Sequence, residues 1–265
     1  MPKRFSNIVL VPPVPTEGNL CYRACIAGTA LFGSGATAKE AVGPRVQSRP
    51  TAWLDLAESV TMFIHSKLEY STVNGPGTRV VIWFQGCVGM NCPGCWNPDT
   101  HASFCGETLR ADQLADWVLA QRDITGVTFS GGEPMQQAPA LLSVIEILHG
   151  RNPHLSVGLY TGYTAKELDK GHYVAFFSNH KELVSELVRI GLWERIRKRL
   201  DFAVMGRYNR LEPIQTTLRA SRNQNLELFS GRYSLADFSQ NLEIEAVIDS
   251  EFIQLTGFPV KGVEL

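Results

Sequence analysis

The stretch Gly75–His101, GPGTRVVIWFQGCVGMNCPGCWNPDTH, decides how the rest of the chain is read. It holds three of the six cysteines, Cys87, Cys92 and Cys95. The apolar run Val80-Val81-Ile82-Trp83-Phe84 leads into them and predicts a buried strand. Gly, Asn and Pro around the thiols predict a loop. A strand that delivers three thiols to a loop at its carboxyl end is a way to hold a metal group at the mouth of an α/β sheet. The spacing C-x4-C-x2-C leaves three chemistries open. A zinc site needs four ligands, so His101 or Cys105 would have to complete it. A redox dithiol needs only Cys92 and Cys95 and leaves Cys87 idle. A [4Fe–4S] cluster on three cysteines keeps one iron open for a substrate or cofactor.

Composition narrows the class. The chain has 265 residues, enough for one large domain with an appendage. With 44% hydrophobic residues it can build a sizeable core. The net charge of −1 gives no global pull towards nucleic acid or an anionic membrane. No apolar run reaches the length of a membrane span. The start, MPKRFSNIVLVPPVP, is too short and too proline-broken for a secretory signal. Clustered cysteines in a chain of this length point to metal in a reducing cytoplasm rather than to a disulfide framework.

Residues 1–61 read as an N-terminal extension, rich in Gly, Ala, Pro and Ser, with a helical face at Trp53, Leu56, Ala57, Val60 and Phe63 near its end. Residues 62–265 read as the core domain. Strands are expected at Arg79–Gln85, Gly126–Ser130, Ser156–Thr161, Phe202–Met205 and Leu226–Phe229. Helices are expected at Leu109–Gln121, at Gln137–His149 with Leu141, Val144, Ile145 and Leu148 on one face, and at Lys181–Lys198. This alternation implies a largely parallel sheet. The end, LEIEAVIDSEFIQLTGFP, reads as a β-hairpin that turns at Asp249-Ser250.

A second motif, Ser130-Gly131-Gly132-Glu133-Pro134, directly follows a predicted strand. The two glycines allow close backbone approach and exposed N–H groups, and a glutamate there can accept hydrogen bonds from an ammonium group. Its bland reading is an ordinary strand-to-helix turn.

The cysteine loop and this turn together resemble the radical S-adenosylmethionine (SAM) superfamily. Val73–Arg79, Cys92-Pro93-Gly94-Cys95 with Trp96-Asn97, Tyr160-Thr161-Gly162-Tyr163, Leu200–Gly206 and Leu218–Gln224 bring the resemblance closer to the glycyl-radical activating enzymes, over roughly residues 62–231. The closing Leu255–Pro259 is similar to compact single-cluster members. The resemblance implies a partial (β/α)6 barrel, open on one side, with an N-terminal extension and a C-terminal β-hairpin. It implies one [4Fe–4S] cluster per chain on Cys87, Cys92 and Cys95. It places SAM against Ser130, Gly131, Gly132, Glu133 and Thr161, with Trp96 packing on its adenine. The implied activity is reductive cleavage of SAM, most simply to activate a glycyl-radical enzyme, with a peptide or small-molecule maturase as the alternative and a zinc-bound interaction module as the non-enzymatic one. An external electron donor of flavodoxin or ferredoxin type is implied, and neither nucleic acid nor membrane as a partner.

Three positions depart from the family pattern. Four residues separate Cys87 from Cys92 where three are usual, Gly94 stands where an aromatic residue is usual, and Met205 stands where an acidic residue is often found. Cys21, Cys25 and Cys105 are too few for a second all-cysteine cluster and read as buried structural thiols. His65, Lys67, His101 and the run Arg195, Arg197, Lys198, Arg199 read as structural or solvating residues.

Overall fold

The computed structural model describes residues 60–90, 92–177, 182–216, 218–239, 244–248 and 253–257. The chain forms a mixed α/β fold around a seven-stranded sheet in the order β3-β1-β2-β4-β5-β6-β9. These strands are β1 (Thr61–Ser71), β2 (Arg79–Phe84), β3 (Glu107–Arg110), β4 (Gly126–Gly131), β5 (Ser156–Thr161), β6 (Phe202–Met205) and β9 (Asn225–Leu228). Adjacent pairs among β2, β4, β5 and β6 are parallel, while β1, β3 and β9 run antiparallel to their neighbours. The expected partial barrel is therefore met as a sheet with two free ends rather than a closed barrel. The chain reverses at both flanks of the parallel block, so the outer strands join as returns rather than as further β–α repeats.

Every residue of β2 is buried, as a central strand covered on both faces requires. Side-chain alternation then separates two environments. Val80, Ile82 and Phe84 of β2 join Val127, Phe129, Val157 and Leu159 in the main core. Helices α1 (Ala111–Ala120), α2 (Ala138–Arg151) and α4 (Glu186–Arg197) cover that face with Leu114, Leu141, Ile145 and Trp193. The short α3 (Ala165–Asp169) adds Leu168.

The opposite face carries Arg79, Val81 and Trp83 on β2 and Phe202 and Val204 on β6; Val81 and Trp83 belong to one small cluster, Phe202 and Val204 to another. Arg79 is fully buried at its base. It donates to Thr128 Oγ1 at 2.7 Å, to the Val127 carbonyl at 2.7 Å and to Ser156 Oγ at 3.2 Å, and it lies over the Phe202 ring at 5.0 Å. Burial lowers its pKa, yet these acceptors satisfy the guanidinium. Two hairpins lie outside the main sheet, β7 (Pro213–Thr216) with β8 (Arg219–Ser221), and β10 (Ile244–Ile248) with β11 (Ile253–Gly257). The second is the expected terminal hairpin. It is anchored where Thr72 donates from N and Oγ1 to Glu245 Oε1 and Asn74 Nδ2 donates to Thr256 Oγ1.

Several expectations shift. The helical face ending at Phe63 is overturned where it can be seen, because Thr61–Ser71 is a strand and Phe63 lies in it. Residues 1–59 lie outside the described residues, as do Trp53, Leu56, Ala57 and the Asp249-Ser250 turn. The helix expected from Leu109 starts at Ala111, because β1 pairs Met62 with Leu109 and so captures the preceding segment. The helix expected from Lys181 starts at Glu186, after Ser185 in extended conformation. Leu183 and Leu187 are consequently exposed rather than part of a core-facing stripe. No helix among the described residues is long and apolar enough to cross a membrane.

Phe129 is fully buried between sheet and helices, 6.0 Å edge-on from Phe84. Phe129→Ala is expected to lower unfolding free energy by about 3–5 kcal/mol in urea denaturation. A loss below about 1 kcal/mol would show that this ring is not part of the packed core.

Candidate cluster and cofactor site

The carboxyl ends of the parallel strands converge on one cavity of about 230 Å³. Register explains its floor. Trp83 pairs with Ser130, Phe129 with Leu159 and Tyr160 with Val204, so Trp83, Ser130, Tyr160 and Val204 form one row across β2, β4, β5 and β6. All four line the cavity. The Tyr160 hydroxyl is buried and has no hydrogen-bond partner among the described residues. The wall formed by the loop after β2 brings Cys87, Cys92, Cys95 and Trp96 to the same space.

The cysteine loop is held by backbone bonds at both ends. Gly86 N donates to the Thr100 carbonyl at 2.7 Å, and Cys87 N to that of His101 at 3.2 Å. Gln136 grips the middle, accepting from Val88 N and donating to Val88 O, both at 2.8 Å. Cys95 N donates to the Cys92 carbonyl at 3.1 Å, closing the C-P-G-C turn. The four-residue spacing is accommodated by Gly89 at φ 75° and by Met90, which is buried against the core. Asn91 lies outside the described residues.

The Gly-Gly-Glu turn acts differently from the sequence expectation. Gly131 has φ 102°, and a side chain on it would press on the Phe84 backbone. A side chain on Gly132 would run into the Gly86 carbonyl oxygen. The glycines thus let the tip of β4 lie directly against the tip of β2. The N–H groups expected to be exposed are used there, since Gly132 N donates to the Phe84 carbonyl at 2.9 Å and Glu133 N to that of Gly86 at 2.8 Å.

Glu133 is 1% exposed, although it forms part of the cavity wall. Its Oε1 accepts from Met135 N at 2.9 Å and Thr161 Oγ1 at 2.8 Å, and its Oε2 accepts from Gly162 N at 2.7 Å. A carboxylate offers about four lone-pair positions, so one remains. Thr161 is therefore seen bonding Glu133, and Ser130, Gly131, Gly132 and Glu133 share the cavity with the thiols.

Burial dominates the electrostatics of the site, with Arg207 as a cation that acts on Cys87, Cys92 and Glu133. Burial, then the charges of Glu133, Cys92 and Cys95, pushes the Cys87 thiol up to about 12. Burial raises Cys92 as well. Burial lifts Glu133 to about 7 despite its three donors. Cys87, Cys92 and Cys95 are free thiols. Among the described residues no three His, Cys, Asp or Glu side chains are arranged to hold a single metal ion. A cluster takes each thiolate on a different iron, so three thiols around one cavity suit it.

Other candidates separate from the site. His65 Nδ1 bonds Gln85 Oε1 at 2.9 Å, and Lys67 pairs with Glu107 at 2.5 Å. Arg195 and Arg199 pair with Glu146, and Arg197 with Asp169. Cys105 is half-buried and disulfide-bonded, which corrects the reading of a buried thiol; Cys21 and Cys25 lie outside the described residues. His101 does line the cavity. Sequence reasoning missed Met90, Tyr208 and the hairpin residues Leu255 and Thr256, which also line it. The sequence signals for the hairpin were its alternation and the resemblance of Leu255–Pro259, neither of which pointed to the cavity, and Tyr208 carried none.

Comparison with known proteins agrees with this geometry. A family model described as a 4Fe-4S single cluster domain matches residues 73–227. The chain belongs to that family. The anaerobic ribonucleoside-triphosphate reductase-activating protein of Salmonella typhi is 32% identical over 115 residues, covering 41% of this chain and 73% of the relative. The protein of that name from Enterobacteria phage T4 is 27% identical over 158 residues, 58% and 86% of the two chains. The pyruvate formate-lyase-activating enzyme of Clostridium pasteurianum is 37% identical over 99 residues, 36% of this chain and 41% of that enzyme. The family is that of radical SAM activating enzymes, and its cofactors are a [4Fe–4S] cluster and SAM.

Two outcomes test the turn. Gly132→Ala should fold, by circular dichroism, yet bind less iron on anaerobic reconstitution than the wild type. Equal iron content would show that the close approach to Gly86 is dispensable. Glu133 has a folded-state pKa above its unfolded value of 4.5. Folded protein therefore holds the proton more tightly, and the group's contribution to stability falls as pH rises from about 4.5 through about 7. The stability of metal-free wild type relative to Glu133→Gln should decline across that window in denaturant titrations, whereas parallel curves would contradict the burial of an ionisable carboxyl there.

Proposed function

We propose that this protein reductively cleaves SAM to abstract hydrogen from a glycine residue of a glycyl-radical enzyme. The observation that carries the reading is the meeting of three free thiols and the Gly131–Glu133 turn around one cavity. In this reading Cys87, Cys92 and Cys95 hold three corners of the cluster as thiolates. Burial raises the pKa of Cys87 and Cys92, so these two thiols give up their protons most readily against positive charge, and loading the site releases protons.

The turn Ser130–Glu133 then receives the methionine end of SAM. Glu133 offers its remaining lone pair and its negative charge to the ammonium group, while Thr161 and Gly162 fix the carboxylate in place. Trp96, 37% exposed on the cavity wall, meets the adenosyl end. The apolar wall around Met90, Val204 and Leu218 excludes water from the reacting atoms. When bound, the cluster supplies one electron to the sulfonium, giving methionine and a 5′-deoxyadenosyl radical that takes one hydrogen atom to become 5′-deoxyadenosine. The stoichiometry requires one electron per cleavage from a donor of flavodoxin or ferredoxin type, and we place the reaction in the reducing cytoplasm. The two relatives' names, which refer to reductase and lyase activation, support a glycyl-radical enzyme as the partner.

Anaerobically reconstituted protein with dithionite and SAM is expected to produce 5′-deoxyadenosine, and Cys92→Ala to abolish it. With the partner present, an electron paramagnetic resonance doublet of a glycyl radical should appear. Unchanged product from Cys92→Ala would overturn the cluster assignment, and cleavage without any radical on candidate partners would overturn the choice of substrate.

A further inference from the structure

One segment that the sequence did not flag closes over the cysteine loop. It follows β6 and runs from Gly206 to Leu211, and it meets the cysteine loop at three points. The Tyr208 backbone hydrogen-bonds the Cys92 sulfur. The Arg210 side chain lies over Gly94, where an added Cβ would sit 3.1 Å from Arg210 Cδ. The Tyr208 ring packs on Trp96 with centroids 5.4 Å apart and planes tilted by 51°.

These contacts account for a departure in the motif. Gly94 stands at φ 70°, a backbone conformation that an aromatic residue adopts only under strain. The space above it belongs to Arg210. The cysteine loop therefore supplies no aromatic side chain at position 94. An aromatic face reaches the same region from the other side, on a different strand connection.

We propose that Tyr208 is the aromatic surface against which the adenine of SAM stacks, with Trp96 holding its ring at a fixed tilt. The assignment rests on the reading of the cavity as a SAM site. Tyr208 lines the cavity that the Gly131–Glu133 turn also lines. A ligand whose ammonium group sits at Glu133 carries its base away from that turn, towards the wall that Trp96 and Tyr208 form. Tyr208 is half-buried and lines the cavity, so part of its surface stays open beside Trp96. Tyrosine is well suited to the task, because it presents a rigid π-face at low entropic cost and its hydroxyl tolerates a wet edge. The pair is fixed from both sides, since the Tyr208 backbone is tied to a cluster thiol and Trp96 follows Cys95 directly.

The test is anaerobic calorimetry of the reconstituted protein with S-adenosylhomocysteine, which cannot be cleaved, alongside iron content for each variant. Stacking of a base on an aromatic side chain predicts that Tyr208→Leu weakens binding about tenfold, while Tyr208→Phe stays within about twofold of wild type. Iron content should be unchanged in both. Full iron with unchanged affinity in Tyr208→Leu would overturn the assignment. So would loss of iron in Tyr208→Leu, which would make the ring a brace for the cysteine loop. Equal weakening in Tyr208→Phe would mean that the hydroxyl, not the ring, makes the contact. Wild-type protein that holds its iron yet neither binds S-adenosylhomocysteine nor makes 5′-deoxyadenosine would overturn the SAM reading itself, and the role of Tyr208 with it.

Discussion

The close approach of the Gly131-Gly132 turn to the end of β2 is the constraint on which the site depends. Two backbone hydrogen bonds, from Gly132 to Phe84 and from Glu133 to Gly86, join the strand that carries the cysteines to the strand beside it. They form only because neither glycine has a side chain to hold the backbones apart. The same turn aims Glu133 at Thr161 and Gly162, so the carboxylate joins the end of a third strand. Three strand ends are thereby fixed relative to one another by one turn. The thiols, the turn and the floor row of Trp83, Ser130 and Tyr160 inherit their positions from it.

The energetic character of the cavity follows from that arrangement. Cys87, Cys92 and Glu133 are drawn into an environment that penalises negative charge. Burial makes each of them hold its proton more tightly than in water. A cationic cluster and an ammonium group are the kinds of ligand that reverse this penalty, each neutralising the groups nearest to it. Arg207 is the protein cation that acts on these groups, and it is itself paired with Glu167. Arg79 sits at the base of the same face and is spent on Thr128, Ser156 and backbone carbonyls, where it ties β2 to β4 and β5.

Much of this was legible in the sequence, for reasons tied to particular residues. Ser156–Thr161 and Phe202–Met205 fall on strands with the expected bounds, because short apolar runs between turn residues leave little choice of structure. The cysteine spacing and the Ser130–Pro134 motif each had bland readings, and only their combination pointed to one cavity. What stayed hidden is non-local. Phe63 satisfies a helical spacing, yet pairing with Thr108 of β3 makes it a strand residue. Glu133 looked free to meet a ligand, but its bonds to Thr161 and Gly162 depend on a strand 28 residues away. Tyr208 belongs to no motif, and its place beside Trp96 exists only because β6 lies in register with β5.

The central claim is that the three thiols leave one iron of a cluster open to SAM. Mössbauer spectroscopy of protein reconstituted with iron-57 tests it most directly. The account predicts about four irons per chain, with the signal of one iron site changing when SAM is added and the other three unmoved. Four irons that all ignore SAM, or a chain that takes up a single zinc ion in their place, would contradict it.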